Sequence, residues 1–315
     1  MNQKPLRIES QIPGLDNGIS HPNVKFSALP GRISKPWPEG RWLAAYAVLF
    51  LEHWELVPAK GSITDPGLSG EFFPDFRNWT QREYGLRIGI FRIIEILKAQ
   101  GVRPCIAANA MAVERLPDLV KMFSGWGCEW LGHGMAATRM MHSKMPQEAQ
   151  AATIKESLDA LERATGRRPL GWISQDWGTS PDTFDLLADE GICYTLDCPN
   201  DEEPYWLQTQ KSLLAIPFSA EWDDVQCQWL RNKEPRAHAR LACEAFEQMA
   251  HESARMRRPA VFNVSIHPWL SGMPSRIAYF RDMLARLHSV PNVWWTEPAQ
   301  LYAAFEKNHT QQVHD

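Results

Sequence analysis

Residues Leu43–Leu51 read LAAYAVLFL, nine positions without a charge. The run is too short to cross a bilayer and too uniformly apolar for a sheet with one wet face. It predicts a strand buried on both sides, as in a parallel sheet covered by helices. Further strand-like segments follow at 102–108, 128–131, 170–174, 192–196, 213–218, 259–266 and 293–295. Helical patterns alternate with them at 82–99, 113–123, 146–165, 235–256, 275–287 and 298–305. Another helix opens at Ser180-Pro181, an N-cap followed by a first-turn proline. Gly101 and Gly166 stand where two of the helices should stop.

This alternation specifies an α/β fold built on a parallel sheet. No GxGxxG or Walker-type loop follows the first strand, which removes the usual nucleotide-binding reason for an open sheet. A single closed or nearly closed barrel is expected over 41–308, after an extended Pro- and Gly-rich arm (1–40) and before a polar tail (309–315). An arm of that length is expected to pack on a neighbouring subunit, so the chain reads as a homodimer or homotetramer. The Gly- and Pro-rich stretch 54–80 is too long for an idle connection and is assigned as a lid or substrate loop.

The formal net charge of −4 offers no basic excess for a phosphate backbone, which argues against nucleic acid as a partner. No stretch of 18 apolar residues occurs, so no membrane span is expected. The start, MNQKPLRIESQIPG, has no apolar signal-like core. The six cysteines (Cys105, Cys128, Cys193, Cys198, Cys227, Cys243) form no CxxC pair, and several sit in apolar runs. They read as reduced thiols of a cytoplasmic protein.

Three histidines stand just past apolar runs: His53 in VLFLEHWE, His133 in CEWLGHG and His267 in AVFNVSIHPWLSG. Strand ends at one mouth of a barrel are where such folds place chemistry. Glu52 beside His53 is a candidate general base, expected to have a raised pKa among apolar neighbours such as Trp54. At a strand's last residue the alternation of side chains weakens, so Glu52 and His53 are both expected to reach the mouth. The glycines around His133 should leave its ring exposed, and Pro268 keeps His267 out of helical geometry. In GWISQDWGTSPDT, Ser174, Gln175 and Asp176 follow a strand, and their backbone N–H groups are candidates to hold an oxyanion. The acidic run DCPNDEEPYW is either an orienting cluster or a solvated loop. Fourteen tryptophans are many for this length, and Trp54, Trp172, Trp177, Trp206 and Trp269 lie near the candidate segments as possible apolar walls for a small ligand.

Taken in order, these segments resemble the polysaccharide deacetylase superfamily (carbohydrate esterase family 4), in particular its allantoinase-like branch, which acts on small cyclic amides. The likeness runs over about 42–305 and is most specific in GWISQDWGTSPDT, NDEEPYW and HPWLSGMPSR, the last resembling the branch's HPxLSGxPxR loop. It implies a distorted (β/α)7 barrel. In metal-dependent members an Asp-Asp pair supplies a base and a metal ligand, and an HxxxH motif completes the set. Carried over, Glu52 takes the base role, His53 and His133 become the metal residues, and Ala137 stands where the second HxxxH histidine belongs. The family's Arg-containing third motif is replaced by GWISQDWG, while the last-strand histidine is kept as His267. Catalytic zinc usually has three protein ligands. The resemblance therefore implies either no metal or one divalent ion (Zn, Mn or Co), since the branch includes members that work without one. It also implies oligomers.

The expected activity is hydrolysis of a non-peptide C–N bond in a small cyclic amide. Glu52 or a metal would activate water, and His267 or His133 would protonate the departing nitrogen. Ser174, Asp176, Trp54, Trp172, Trp206 and Trp269 would bind substrate. The alternatives are an N-deacetylase of carbohydrate or peptidoglycan, and a non-catalytic barrel that only binds.

Overall fold

The structure is a computed structural model that describes residues 21–30, 32, 34–58 and 74–310. The first part of the arm, most of the assigned lid (59–73) and the tail (311–315) lie outside the described residues.

Nine strands make one sheet: β1 (Leu43–Leu51), β2 (Cys105–Ala108), β3 (Trp130–Gly132), β4 (Gly171–Trp172), β5 (Tyr194–Thr195), β6 (Tyr205–Trp206), β7 (Leu214–Ala215), β8 (Ala260–Ile266) and β9 (Val293–Trp295). They run in the order β6-β7-β5-β4-β3-β2-β1-β8, with β9 off this path on β1. From β7 to β8 all pairings on the path are parallel, giving seven parallel strands. Helices connect most of them, and the sheet curls into a distorted barrel, as the resemblance implies.

β1 is the axis of the molecule. All nine of its residues are buried. Residues Leu43–Leu49 pair with β8, while on the other side Leu43–Ala45 pair with β9 and Val48–Leu51 with β2. Leu43, Ala45, Ala47, Leu49 and Leu51 face the helices; Ala44, Tyr46, Val48 and Phe50 face the barrel interior. Each fully buried Leu or Val contributes about 1.5–3 kcal/mol, so both faces of this strand hold the domain together.

No ladder joins β7 to β8. Side chains bridge the gap instead. Tyr46 donates its hydroxyl hydrogen to the Pro217 carbonyl, and Asn263 on β8 accepts from the Ser219 backbone N–H at 2.8 Å. This opening makes the barrel distorted.

Several elements differ from the sequence pattern, among them the helix expected to open at Ser180-Pro181, which begins at Thr183. The helix expected at 82–99 is longer and interrupted: Phe76–Tyr84, a widened π turn over Gly85–Gly89, then Ile90–Ala99. The helix expected at 113–123 breaks at Leu116, because Pro117 lacks an N–H and disfavours helical geometry in the residue before it. The antiparallel strand β6 lies in the acidic segment and carries no periodic signal of its own. No helix among the described residues is long and apolar enough to cross a membrane. All six cysteines are free thiols, five of them buried.

Candidate active site

The carboxyl ends of β1, β3 and β8 converge on one cavity of about 90 Å³. Glu52, His133 and His267 all line it. Phe50, two residues before Glu52, shares its face of the strand. Its ring lies flat on His267, with centroids 4.1 Å apart and planes 7° apart, and it meets His133 at 5.3 Å. Phe50 thus spaces the two imidazoles.

Glu52 is buried, and its Oε1 accepts a hydrogen bond from the Gln175 side-chain amide at 2.6 Å. The Nε2 of His133 is 3.5 Å from the same oxygen. Burial alone would raise this carboxyl's pKa. The neighbouring His133 ring, the charge of His267 and the Gln175 amide outweigh burial and hold it down at about 2. The expectation of a raised value fails because polar partners surround the carboxylate inside its apolar pocket.

His133 donates from Nδ1 to the Ile173 carbonyl at 2.7 Å, which leaves Nε2 toward Glu52. Asn109 at the end of β2 ties the two strand ends together. It accepts from the His53 backbone N–H at 3.1 Å and donates to the His133 carbonyl at 2.5 Å. Gly134, with φ +76, then turns the chain away from the site.

His267 sits at the end of β8 on a buried aspartate, Asp224. Its Nδ1 and the Asp224 Oδ1 are 2.6 Å apart, and its backbone N–H donates to Oδ2 at 2.8 Å. Burial would lower the pKa of this imidazole, but Asp224, Glu52 and Asp223 raise it to about 9. His267 is therefore a cation at neutral pH. Asp223, also on the cavity wall, is buried beside it, and burial pushes its own carboxyl up.

Aromatic rings form the remaining wall. The Arg82 guanidinium is buried, 4.4 Å from the Trp54 ring centroid and 3.3 Å from that of Trp269. The close approach of two backbones builds this corner. A Cβ on Gly89 would collide with the Pro268 carbonyl oxygen and crowd Gly272. Only glycine lets the π turn lie against the loop after His267.

The structure does not bring every expected residue here. His53 points away, because the strand alternation persists beyond β1 and puts it on the face opposite Glu52. Its Nδ1 lies 3.2 Å from Arg115, whose guanidinium binds Glu83 through two hydrogen bonds. Burial and the Arg115 charge both lower its pKa. Trp172 packs in the core behind β4 with Leu158 and Phe184, and its indole N–H donates to Ser174 Oγ. Trp206 packs on Tyr302 and Phe305, away from the cavity. Trp54, Ser174, Asp176 and Trp269 do line it. Of the expected oxyanion donors, the Ser174 N–H is committed to Asp197 at 2.7 Å. In the acidic run, Asp201 and Glu203 hold the arm through Arg32 and Ser34 rather than orienting a histidine.

The divalent metal that the resemblance implies does not fit the residues carried over for it. His53 faces a guanidinium, and position 137 is a buried alanine on the cavity wall. Among the described residues, Asp223, Asp224 and His267 are the one acidic and histidine group with metal-like spacing. Yet both Asp224 oxygens are spent on donors: Oδ1 on His267 and the Val225 N–H, Oδ2 on the His267 N–H and the Ser271 hydroxyl.

Sequence reasoning missed Asp223, Asp224, Phe50 and Arg82. The adjacent acids in EWDDV, flanked by apolar residues, were the available signal for the first two.

No protein-family model matches the chain. Among curated proteins it is 24% identical over 309 residues to a putative polysaccharide deacetylase of Schizosaccharomyces pombe, covering 88% of this chain and 94% of that one. It is 22% identical over 237 residues to a peptidoglycan deacetylase of Helicobacter pylori, covering 66% and 80%. Among solved structures it matches the Puue allantoinase with a TM-score of 0.78 and 26% identity, over 89% of this chain and 95% of that one. Over most of its length the chain is thus similar to polysaccharide and peptidoglycan deacetylases and to an allantoinase. An allantoinase stands among its structural neighbours.

Proposed function

We propose that this chain hydrolyses a non-peptide C–N bond in a small cyclic amide, of the allantoin, hydantoin or imide type. The observation that carries the reading is the pairing of an anionic Glu52 with a cationic His267 across one small, tryptophan-walled cavity. Glu52 takes a proton from water as the oxygen attacks the carbonyl carbon. His267 stabilises the oxyanion by its charge and then gives its Nε2 proton to the departing nitrogen. The ring opens to a carboxylic acid, which loses its proton to solvent, and to a ureido or amide N–H.

A carboxyl held near 2 is a weak base as water attacks, and its hold on the proton strengthens in the step that follows. Glu52 is low partly because His267 is charged. When His267 gives up its proton, that charge vanishes and the proton affinity of Glu52 rises. The two transfers support each other. Proton return from Glu52 to His267 resets the pair.

N-deacetylation of a sugar is the second reading, and the names of the curated relatives favour it. It requires the same bond cleavage on a larger substrate, which an open polar groove would suit better than this cavity. A turnover screen across acetylated sugars, hydantoins, cyclic imides and allantoin separates the two. The proposal expects cleavage of the small rings, abolished in Glu52→Gln. Turnover of acetylated sugars alone would shift the assignment, and no turnover of any amide would favour a barrel that only binds.

A further inference from the structure

We propose that Asp197 is a positioning residue for Glu52, acting through Ser174 and Gln175; this rests on the role of base given to Glu52 above. Asp197 follows β5 and is not on the cavity wall. Glu52 ends β1, four strands away in sheet order. The link between them runs across the barrel mouth through a short chain of hydrogen bonds.

Asp197 is buried and grips one residue with both oxygens. Oδ1 accepts the Ser174 backbone N–H at 2.7 Å, and Oδ2 accepts the Ser174 hydroxyl at 2.9 Å. Oδ2 also accepts from Thr195 at 3.0 Å, and Ser174 Oγ accepts from the Trp172 indole at 2.9 Å. The Ser174 hydroxyl is thus fixed as donor and acceptor together, and charge-assisted bonds of this kind are the strong ones. The next residue, Gln175, turns into the cavity and places its amide on Glu52 Oε1 at 2.6 Å.

The turn beyond Gln175 is closed by the Trp177 and Gly178 N–H groups but carries strained backbone. Asp176 and Trp177 both have left-handed backbones, with φ 49 and 52, which side chains adopt only when surrounding contacts impose them. The anchor at Ser174 is the adjacent contact of that kind. With Gln175 held, Oε1 of Glu52 is occupied by the amide and faces His133, and among the described residues Oε2 is left to receive the proton of water. A carboxylate set in one orientation is what general-base attack requires.

The test compares kcat and KM of the full chain for Asp197→Ala, Gln175→Ala and the double variant on the best small amide. Asp197→Ala is expected to lower kcat by about 100-fold with little change in KM. The double variant is expected to be no worse than Gln175→Ala, because both changes cut one chain. Independent, multiplying losses, or an unchanged kcat, would overturn the proposal. Ser174→Ala removes half of the anchor without emptying the Asp197 site and should show a smaller loss of the same kcat-only form, should Asp197→Ala not fold. A crystal structure of either variant reads the link without turnover: the Gln175 amide should leave Glu52, and its retention at 2.6 Å would refute the relay. If the wild type cleaves no amide, the assigned reaction falls, and the crystal structure still decides the positioning.

Discussion

Phe50 lies flat against His267, with ring centroids 4.1 Å apart, while Asp224 holds the imidazole from its other edge at 2.6 Å. One contact fixes the plane of the ring and the other fixes its proton. A strand residue and a loop residue thereby define a single orientation for the group proposed to protonate the leaving nitrogen.

The pH dependence follows from that pair. The pKa of His267 is raised from 6.5 to about 9. Its acid form is needed, so activity should fall as pH rises through about 9. The stability contributed by the pair is complete below about 6.5 and is lost as pH rises through 9, since the folded value lies above the unfolded one. Asp224→Asn should move the alkaline limb of kcat/KM downward by at least about one unit. A limb that stays near 9 would exclude Asp224 as its cause.

Glu52→Gln should reduce kcat by at least about 100-fold, the usual contribution of a general base. The amide keeps an acceptor for Gln175, so the far-ultraviolet circular dichroism and melting temperature should stay close to wild type. Turnover within a few-fold of wild type would remove Glu52 from the mechanism.

His53→Asn should leave turnover nearly intact, because the ring faces Arg115 rather than the cavity. Isothermal titration with Zn²⁺ should find no stoichiometric site that depends on His53 and His133 together. A tight site abolished by either substitution would show that a metal binds at these positions.

Gly89→Ala should destabilise the fold by about 1–3 kcal/mol, the cost of overpacking a tight contact. A Cβ there cannot coexist with the Pro268 carbonyl and the Gly272 backbone. Thermal melts measure the loss. Relief of the clash would move Trp269 and Arg82, so kcat/KM should fall in the same variant. An unaltered melting temperature would mean that the two backbones are free to separate.

Much of the architecture was legible because burial on both faces writes itself into composition. β1, β8 and β9 stand where their apolar runs are, and the helix Pro235–Met256 has the limits its pattern predicts. The central strands proved shorter than their apolar runs, since β4, β5 and β7 hold only two residues each in the ladder. The segments that carry no period stayed hidden: β6, the π turn over Gly85–Gly89, and the single turn Val225–Leu230 that delivers Asp224.

The site divides along the same line. By itself the sequence determined that Glu52, His133 and His267 lie at strand ends, because apolar runs stop just before them. Only the tertiary structure decided which side chains share a cavity. It turned His53 outward through the two-residue alternation of a strand, sank Trp172 into the core, and seated His267 on Asp224, 43 residues away in the chain. Those outcomes depend on direction and on non-local contact, and a linear pattern of residue types records neither.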